Sequence, residues 1–308
     1  MKVLSRLTNA FPLWVLLASL LALYQPAWFT WFSGALIPLG LGMIMLGMGL
    51  TLTVDDFRGV LKFPGWVLTG VALQYTVMPL CGWAIGLLFQ LSPEYAVGLV
   101  LVSCCPGGTA SNVVSYLGRL DVPLSVTLTA VSTFLAALLT PMLTLFFADN
   151  RLEVNGAGLF LSTFQVVILP VTTGVLINRF CHRWAARVLP AAPLVSVMFI
   201  TLIVASIVEA GREAILHSAG RLMGAVFLLH VCGFLLGYLM GKGLTRRERT
   251  ARTISIEVGM QNSGLGVVLA RANFANPAVA IPSALSSVFH SLIGSALAAW
   301  WRGRPELS

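Results

Sequence analysis

Glu257 lies in the middle of an apolar stretch, TISIEVGMQNSGLGVVLARA, covering residues 253–272. It is the one acidic residue, among eleven, that falls deep inside such a stretch; the other ten sit in loops or near helix ends. A carboxylate in hydrocarbon costs several kcal/mol unless it finds a partner, a proton or a cation. No Lys or Arg lies at a comparable position along the neighbouring apolar segments, so the sequence offers no internal salt bridge. Three polar side chains, Gln261, Asn262 and Ser263, follow at once, between Gly259 and Gly264. Consecutive polar residues cannot share one helix face. Part of this stretch must therefore leave helical geometry or line a polar cavity.

A second interruption reads CCPGGTASNVVS, residues 104–115. In a helix interior proline costs about 3 kcal/mol and glycine about 1 kcal/mol relative to alanine. Pro106, Gly107 and Gly108 together predict an unwound segment, and unwound backbone in a membrane must be buried in protein or line a cavity. The break creates two helix ends. The amide end near Thr109 and Ala110 suits an anion. The carbonyls before the break, with the side-chain oxygens of Ser111 and Asn112, suit a hard cation.

Two further segments add oxygens. Ser125 and Thr129 are four apart and share a helical face. Gln74 lies five residues before Pro79, where the backbone is expected to loosen. All these donors are oxygens and only one is charged, a set that fits a monovalent cation better than a divalent one. Proton uptake by Glu257 alone is the competing reading, and it leaves the surplus of amides and hydroxyls unused. The five cysteines, Cys81, Cys104, Cys105, Cys181 and Cys232, match no zinc spacing and read as small packing residues. His230 and His290 are the histidines within apolar segments, and no motif links them to Ser111 or Cys105 as nucleophiles, so an enzyme is not expected.

These residues must be positioned by membrane helices. Of 308 residues, 57% are hydrophobic and 10% charged, with mean hydropathy +0.90; soluble domains carry about a quarter charged residues. Ten apolar segments of about 17–25 residues, each long enough to span a bilayer, centre near residues 16, 42, 77, 104, 135, 169, 199, 230, 261 and 290. Alternating the loops between two sides puts 15 of the 19 basic residues on one side: Lys2, Arg6, Arg58, Lys62, Arg119, Arg179, Arg183, Arg187, Lys242, Arg246, Arg247, Arg249, Arg252, Arg302 and Arg304. Only Arg151, Arg212, Arg221 and Arg271 fall on the other. Basic loops remain cytoplasmic, which predicts both termini inside and an even number of spans. The net charge of +8 thus reports topology, with anionic lipid as its partner and no nucleic acid. The signal-like N-terminus is expected to be an uncleaved first helix, since its loss would leave an odd number of spans. The whole chain, 1–308, reads as one membrane domain. Asn112 and Asn262, 150 positions apart, both lie in interrupted spans. Two sets of five spans in opposite orientation, roughly 8–148 and 157–302, are expected, the arrangement of secondary transporters.

The motifs CCPGGTASNVVS and EVGMQNSGLG, taken with the ten spans and their half-chain spacing, resemble the bile acid:sodium symporter family in its bacterial branch, along essentially the whole chain. The resemblance implies an all-α fold of two inverted five-helix repeats. Helices 1, 2, 6 and 7 would form a panel. Helices 3–5 and 8–10 would form a core in which broken helices 4 and 9 cross. It implies one sodium site at Ser111, Asn112, Ser125, Thr129 and Glu257. The second would use Gln74, Glu257, Gln261 and the backbone carbonyls of Val258 and Met260. An organic anion, bile-acid-like or a small carboxylate such as pantoate or a keto acid, would bind between panel and core near Thr109 and Asn262. His290 is a weaker substrate candidate and reads first as a structural histidine. The expected activity is symport of that anion with two sodium ions across a bacterial inner membrane, with no obligate protein partner. A proton-coupled transporter using Glu257 and a membrane sensor that binds anion without moving it are the alternatives.

Overall fold

The computed structural model describes residues 10–53, 56, 63–148 and 152–304, with backbone alone at 214 and 217–219. Lys2, Arg6, Arg58, Lys62, Arg151 and both chain ends, and with them part of the charge pattern and the start of the first repeat, lie outside the described residues. Among the described residues fourteen α-helices run in chain order. They are α1 (Phe11–Tyr24), α2 (Leu36–Thr51), α3 (Pro64–Leu88), α4 (Pro93–Ser103), α5 (Ala110–Leu117), α6 (Val122–Ala148) and α7 (Gly156–Thr163). There follow α8 (Leu169–Phe180), α9 (His182–Val188), α10 (Ala192–Ala210), α11 (Arg212–Thr245), α12 (Glu248–Gly259), α13 (Ser263–Asn273) and α14 (Ile281–Arg302). No strand occurs among the described residues beyond a single bridge between Gly107 and Gln261.

Prolines set many of the boundaries. α3 and α4 open on Pro64 and Pro93, and Pro193 and Pro282 stand in the first turns of α10 and α14, where the missing N–H costs nothing. Pro170 lies just beyond a π-helical turn, Phe164–Ile168, which joins α7 to α8 as one continuous rod. The backbone does not loosen at Pro79 as the sequence suggests: α3 continues through it for 25 residues, and Pro141 is likewise carried inside α6. A lone proline removes one ladder bond, and close packing on neighbouring helices holds the rod together. After Cys105, where two glycines follow the proline, the helix does stop.

Of the ten expected span centres, eight fall inside helices; the other two, Cys104 and Gln261, fall at the gaps between α4 and α5 and between α12 and α13. Six helices or helix pairs are long and apolar enough to cross a membrane, and α1, α2 and α4 are shorter apolar helices. The surface carries many large apolar side chains. Leu88, Phe146 and Phe180 are 70–74% exposed, whereas Glu257 is 4% and Gln261 1% exposed. Apolar side chains left facing outward, with a minority of polar groups sealed inside an otherwise apolar core, are what a lipid-embedded bundle requires.

Packing sorts the helices into two groups. α1 and α2 pack on α10, and α2 packs on α8. In the other group α3 packs on α4, α6 and α11, and α11 packs on α12 and α14. α14 touches α1 and α10, and so joins the groups. The α2–α8 contact is a glycine contact: a Cβ on Gly174 would stand 2.5 Å from the Leu46 carbonyl oxygen and 2.7 Å from the Gly49 carbonyl carbon. Small residues let membrane helices approach this closely. Gly174→Val should lower the melting temperature of the purified protein, at an overpacking cost of about 1–3 kcal/mol. An unchanged melting curve in detergent would show that the two helices are not locked there.

Candidate functional site

The two gaps face each other. Gly108 N donates to the Met260 carbonyl at 2.7 Å, and Asn262 N donates to the Pro106 carbonyl at 2.8 Å, an antiparallel pair linking segments about 150 residues apart. The carbonyls before the first gap, read from the sequence as free, each already accept one hydrogen bond. Thr140 Oγ1 donates to Cys104 O at 2.8 Å, Gln74 Nε2 donates to Cys105 O at 2.8 Å, and Pro106 O takes the Asn262 amide. Buried backbone acceptors are satisfied wherever a donor can reach them. A Cβ on Gly107 would lie 2.7 Å from Glu257 Oε2, so a side chain there would displace the carboxylate from its hydroxyl partners.

Glu257 is the hub. It stands near the C-terminal end of α12, and three hydroxyls from α5 and α6 meet its carboxylate. Ser111 Oγ and Ser125 Oγ donate to Oε1, each at 2.5 Å, and Thr129 Oγ1 lies 2.8 Å from Oε2. Asn112 Oδ1 completes the group, 2.9 Å from Ser125 Oγ and 3.4 Å from Thr129 Oγ1. Ser111, Asn112, Ser125, Thr129 and Glu257, predicted from three separate segments, are therefore in one place. The proton inventory is short. Each hydroxyl has one proton, yet Ser125 is within reach of two acceptors, and Thr129 of the carboxylate, Asn112 Oδ1 and its own-helix carbonyl Ser125 O, 3.0 Å away. Oxygens outnumber protons, so the cluster has room for one more positive centre, a proton or a cation.

Gln74 and Gln261 make a second group beside the first. Gln74 Nε2 donates to Gln261 Oε1 at 2.9 Å, and Gln261 Nε2 donates to the Val258 carbonyl at 2.8 Å. The Met260 carbonyl accepts from Gly108. Each of these carbonyls keeps a second lone pair. A cavity of about 10 Å³, the size of one water, lies between Gln74, Ser132 and Glu257. Ser132 was not among the residues singled out in the sequence. Its position, three after Thr129 and seven after Ser125, continues their helical stripe, and that spacing was the signal available.

A larger cavity of about 260 Å³ opens between the two helix groups. Phe11, Met48 and Ser196 line it from α1, α2 and α10; Thr109, Asn112 and Val126 line it from the opposite side. Thr109 precedes the first turn of α5 and its hydroxyl makes no capping bond. Asn262 does not line this cavity. Its Oδ1 accepts from Leu265 N at 3.1 Å, capping α13, and its Nδ2 faces Met45 Sδ at 3.9 Å. His290 is also elsewhere, 1% exposed, with Nε2 3.1 Å from Ser263 Oγ and its ring 5.3 Å from that of His230. His230 in turn sits between the Gly259 carbonyl and Ser286 Oγ, each at 2.8 Å. The five cysteines are free thiols, and no group of three or more His, Cys, Asp or Glu residues converges as a metal site among the described residues.

A model of the Sodium Bile acid symporter family matches residues 38–218, well over half the chain. Likeness to individual proteins extends through Glu257 and Gln261 to nearly both ends. A rice protein (Oryza sativa subsp. japonica) named probable sodium/metabolite cotransporter BASS2, chloroplastic, is 46% identical over 98% of this chain and 72% of its own length. An Arabidopsis thaliana protein named probable sodium/metabolite cotransporter BASS1, chloroplastic, is 47% identical over 96% of this chain and 74% of its own. A Bacillus subtilis (strain 168) protein named uncharacterized sodium-dependent transporter YocS is 44% identical over 95% of this chain and 91% of its own. All are named as transporters or cotransporters, and none as an enzyme. With the paired gaps and the buried carboxylate they enclose, these likenesses show that the chain belongs to the sodium bile acid symporter family.

Proposed function

We propose that this protein is a sodium-coupled symporter of small organic anions, working by alternating access with two sodium ions per substrate. The carrying observation is the oxygen cluster on Glu257, which has more acceptors than protons. The first sodium replaces missing protons among Ser111, Asn112, Ser125, Thr129 and Glu257. The second occupies the Gln74, Ser132 and Glu257 cavity, and Gln261, bonded to both Gln74 and the Val258 carbonyl, joins it as a ligand together with the Val258 and Met260 carbonyls. The relatives' names, which specify sodium, support the choice of ion.

Asn112 supplies the coupling. It lines the larger cavity and also presents Oδ1 to the ion cluster, so a filled ion site fixes a side chain that the substrate touches. The amide end of α5, beside Thr109, receives the carboxylate. At about 260 Å³ the cavity is smaller than the ~300–1,000 Å³ of drug-sized sites. That favours a short metabolite such as pantoate or a keto acid over a steroid acid, in keeping with the word metabolite in the plant relatives' names. Asn262 stays a second substrate contact, reached when the Met45 side of the cleft opens, and His290 a remote one.

The transport cycle rests on ten crossings arranged as inverted repeats, 8–148 and 157–302, with the α1, α2, α8 and α10 group as a panel against which the rest moves. The antiparallel pairing of the gaps supports that reading, because segments of an inverted repeat meet running in opposite directions. The setting is a bacterial inner membrane with both termini in the cytoplasm. Two sodium ions with one monoanion carry one net charge, worth about 2.3 kcal/mol per 100 mV.

Three outcomes test this. In proteoliposomes Glu257→Ala should abolish uptake driven by a sodium gradient and weaken sodium binding roughly a hundredfold, the ~3 kcal/mol of an unpaired buried site; normal sodium-driven uptake by the variant would refute the ion assignment. Wild-type uptake should follow sodium and ignore an imposed proton gradient, and the reverse would establish proton coupling. Binding without net flux would mark a sensor. Thr109→Ala should weaken substrate about tenfold, the loss of one hydrogen bond to a charged group, and leave sodium affinity unchanged. A larger loss for sodium would move Thr109 into the cation site.

A further inference from the structure

A cavity of about 340 Å³ at one end of the bundle is lined by five arginines, Arg119, Arg249, Arg252, Arg302 and Arg304, with Trp301 among them. No acidic side chain lines it among the described residues. The nearest carboxylate on α12, Glu248, is held outside by Lys242, by Tyr238 Oη at 3.0 Å and by Arg252 Nε at 2.8 Å. The arginines come from three elements: the turn after α5, the first half of α12 and the end of α14. Planar guanidinium forks gathered in this way match the oxygens of a phosphate. Topology alone asks only that basic residues lie on one side of the membrane. It does not ask that five of them, distant in sequence, share one hollow.

A second hollow, about 760 Å³, adjoins the first and shares Arg252, Trp301 and Arg304 with it. Its walls are mainly apolar side chains of α11 and α14, including Leu235, Leu239, Ile293 and Leu297, and the Lys242–Glu248 ion pair, neutral as a unit, also lines it. Leu235 and Leu239 are 52–53% exposed and so belong to the lipid-facing skin. The tryptophans mark the junction. Arg304 stands 4.1 Å over the Trp300 ring and Arg252 5.8 Å over Trp301, and tryptophan is a residue type that favours the headgroup level of a bilayer. A free phosphate would use the first hollow only. A molecule with a phosphate at one end and a hydrocarbon chain at the other fills both.

We propose that these joined hollows are a binding site for an anionic phospholipid, with its headgroup phosphate among the arginines and an acyl chain along the α11–α14 groove. Arg249 and Arg252 stand on α12, whose far end carries Glu257, so the bound lipid braces the half-helix that positions the ion cluster.

The test uses the full chain in a neutral detergent, with melting temperature followed against dioleoyl phosphatidylglycerol, dioleoyl phosphatidylcholine and inorganic phosphate. Phosphatidylglycerol should give a saturable rise that the other two do not. The Arg119→Gln/Arg304→Gln double variant should need about thirtyfold more phosphatidylglycerol for half the rise, from ~1 kcal/mol per basic residue. Leu235→Trp, which fills the groove and leaves every arginine in place, should also reduce the response, and it carries the test if the double variant does not fold. An equal response to phosphatidylcholine, or a response reproduced by inorganic phosphate alone, overturns the lipid assignment. Wild-type half-saturation in the folded variants places the lipid elsewhere and overturns the site.

Discussion

The structure depends on two backbone hydrogen bonds, Gly108 to Met260 and Asn262 to Pro106. Deep in the bundle no water is at hand for an unwound chain, and each stranded amide or carbonyl would cost several kcal/mol. Each gap solves the other's problem. Once the gaps pair, α5 must start beside the end of α12, and Ser111 must meet Glu257. Gly107 is glycine because the carboxylate occupies the space a side chain would need. The ion cluster, the capped carbonyls and the position of Thr109 at the cavity wall all follow from that one crossing.

Much of this was legible in the sequence, for physical reasons that differ from residue to residue. Pro106, Gly107 and Gly108 announce a gap because they oppose helix locally, whatever surrounds them. Glu257 stands out because a lone acid in an apolar run is too costly to be incidental. Ser125 and Thr129 could be paired because helical spacing puts them on one face. What the sequence hid was mostly a matter of which donor reaches which acceptor. Thr140 and Gln74 cover the Cys104 and Cys105 carbonyls from other helices, and no local pattern encodes that reach. Pro79 looked like a breaker, and packing overruled it.

The cavity wall was illegible for a different reason. α1, α2 and α10 are apolar on nearly every face, since one side meets lipid and the other meets protein. With no polar side to contrast, the pattern that betrays the inner face of a soluble helix is absent. Phe11, Met48 and Ser196 could not have been picked from their neighbours. Ser132 was missed although its stripe was visible, because serines in membrane helices so commonly bond to their own backbone, as Ser132 also does to the Thr129 carbonyl.

The crossing also bears on how the chain is made. Residue 108 leaves the ribosome long before residue 262, and until the second gap arrives the first has no partner for the Gly108 amide or the Pro106 carbonyl. A half-finished chain with α1 to α6 already in the bilayer therefore holds an open wound of backbone polarity at its centre. Contacts that span half a sequence are late and slow to form. The first gap's backbone groups gain their protein partners only when α12 and α13 close over it.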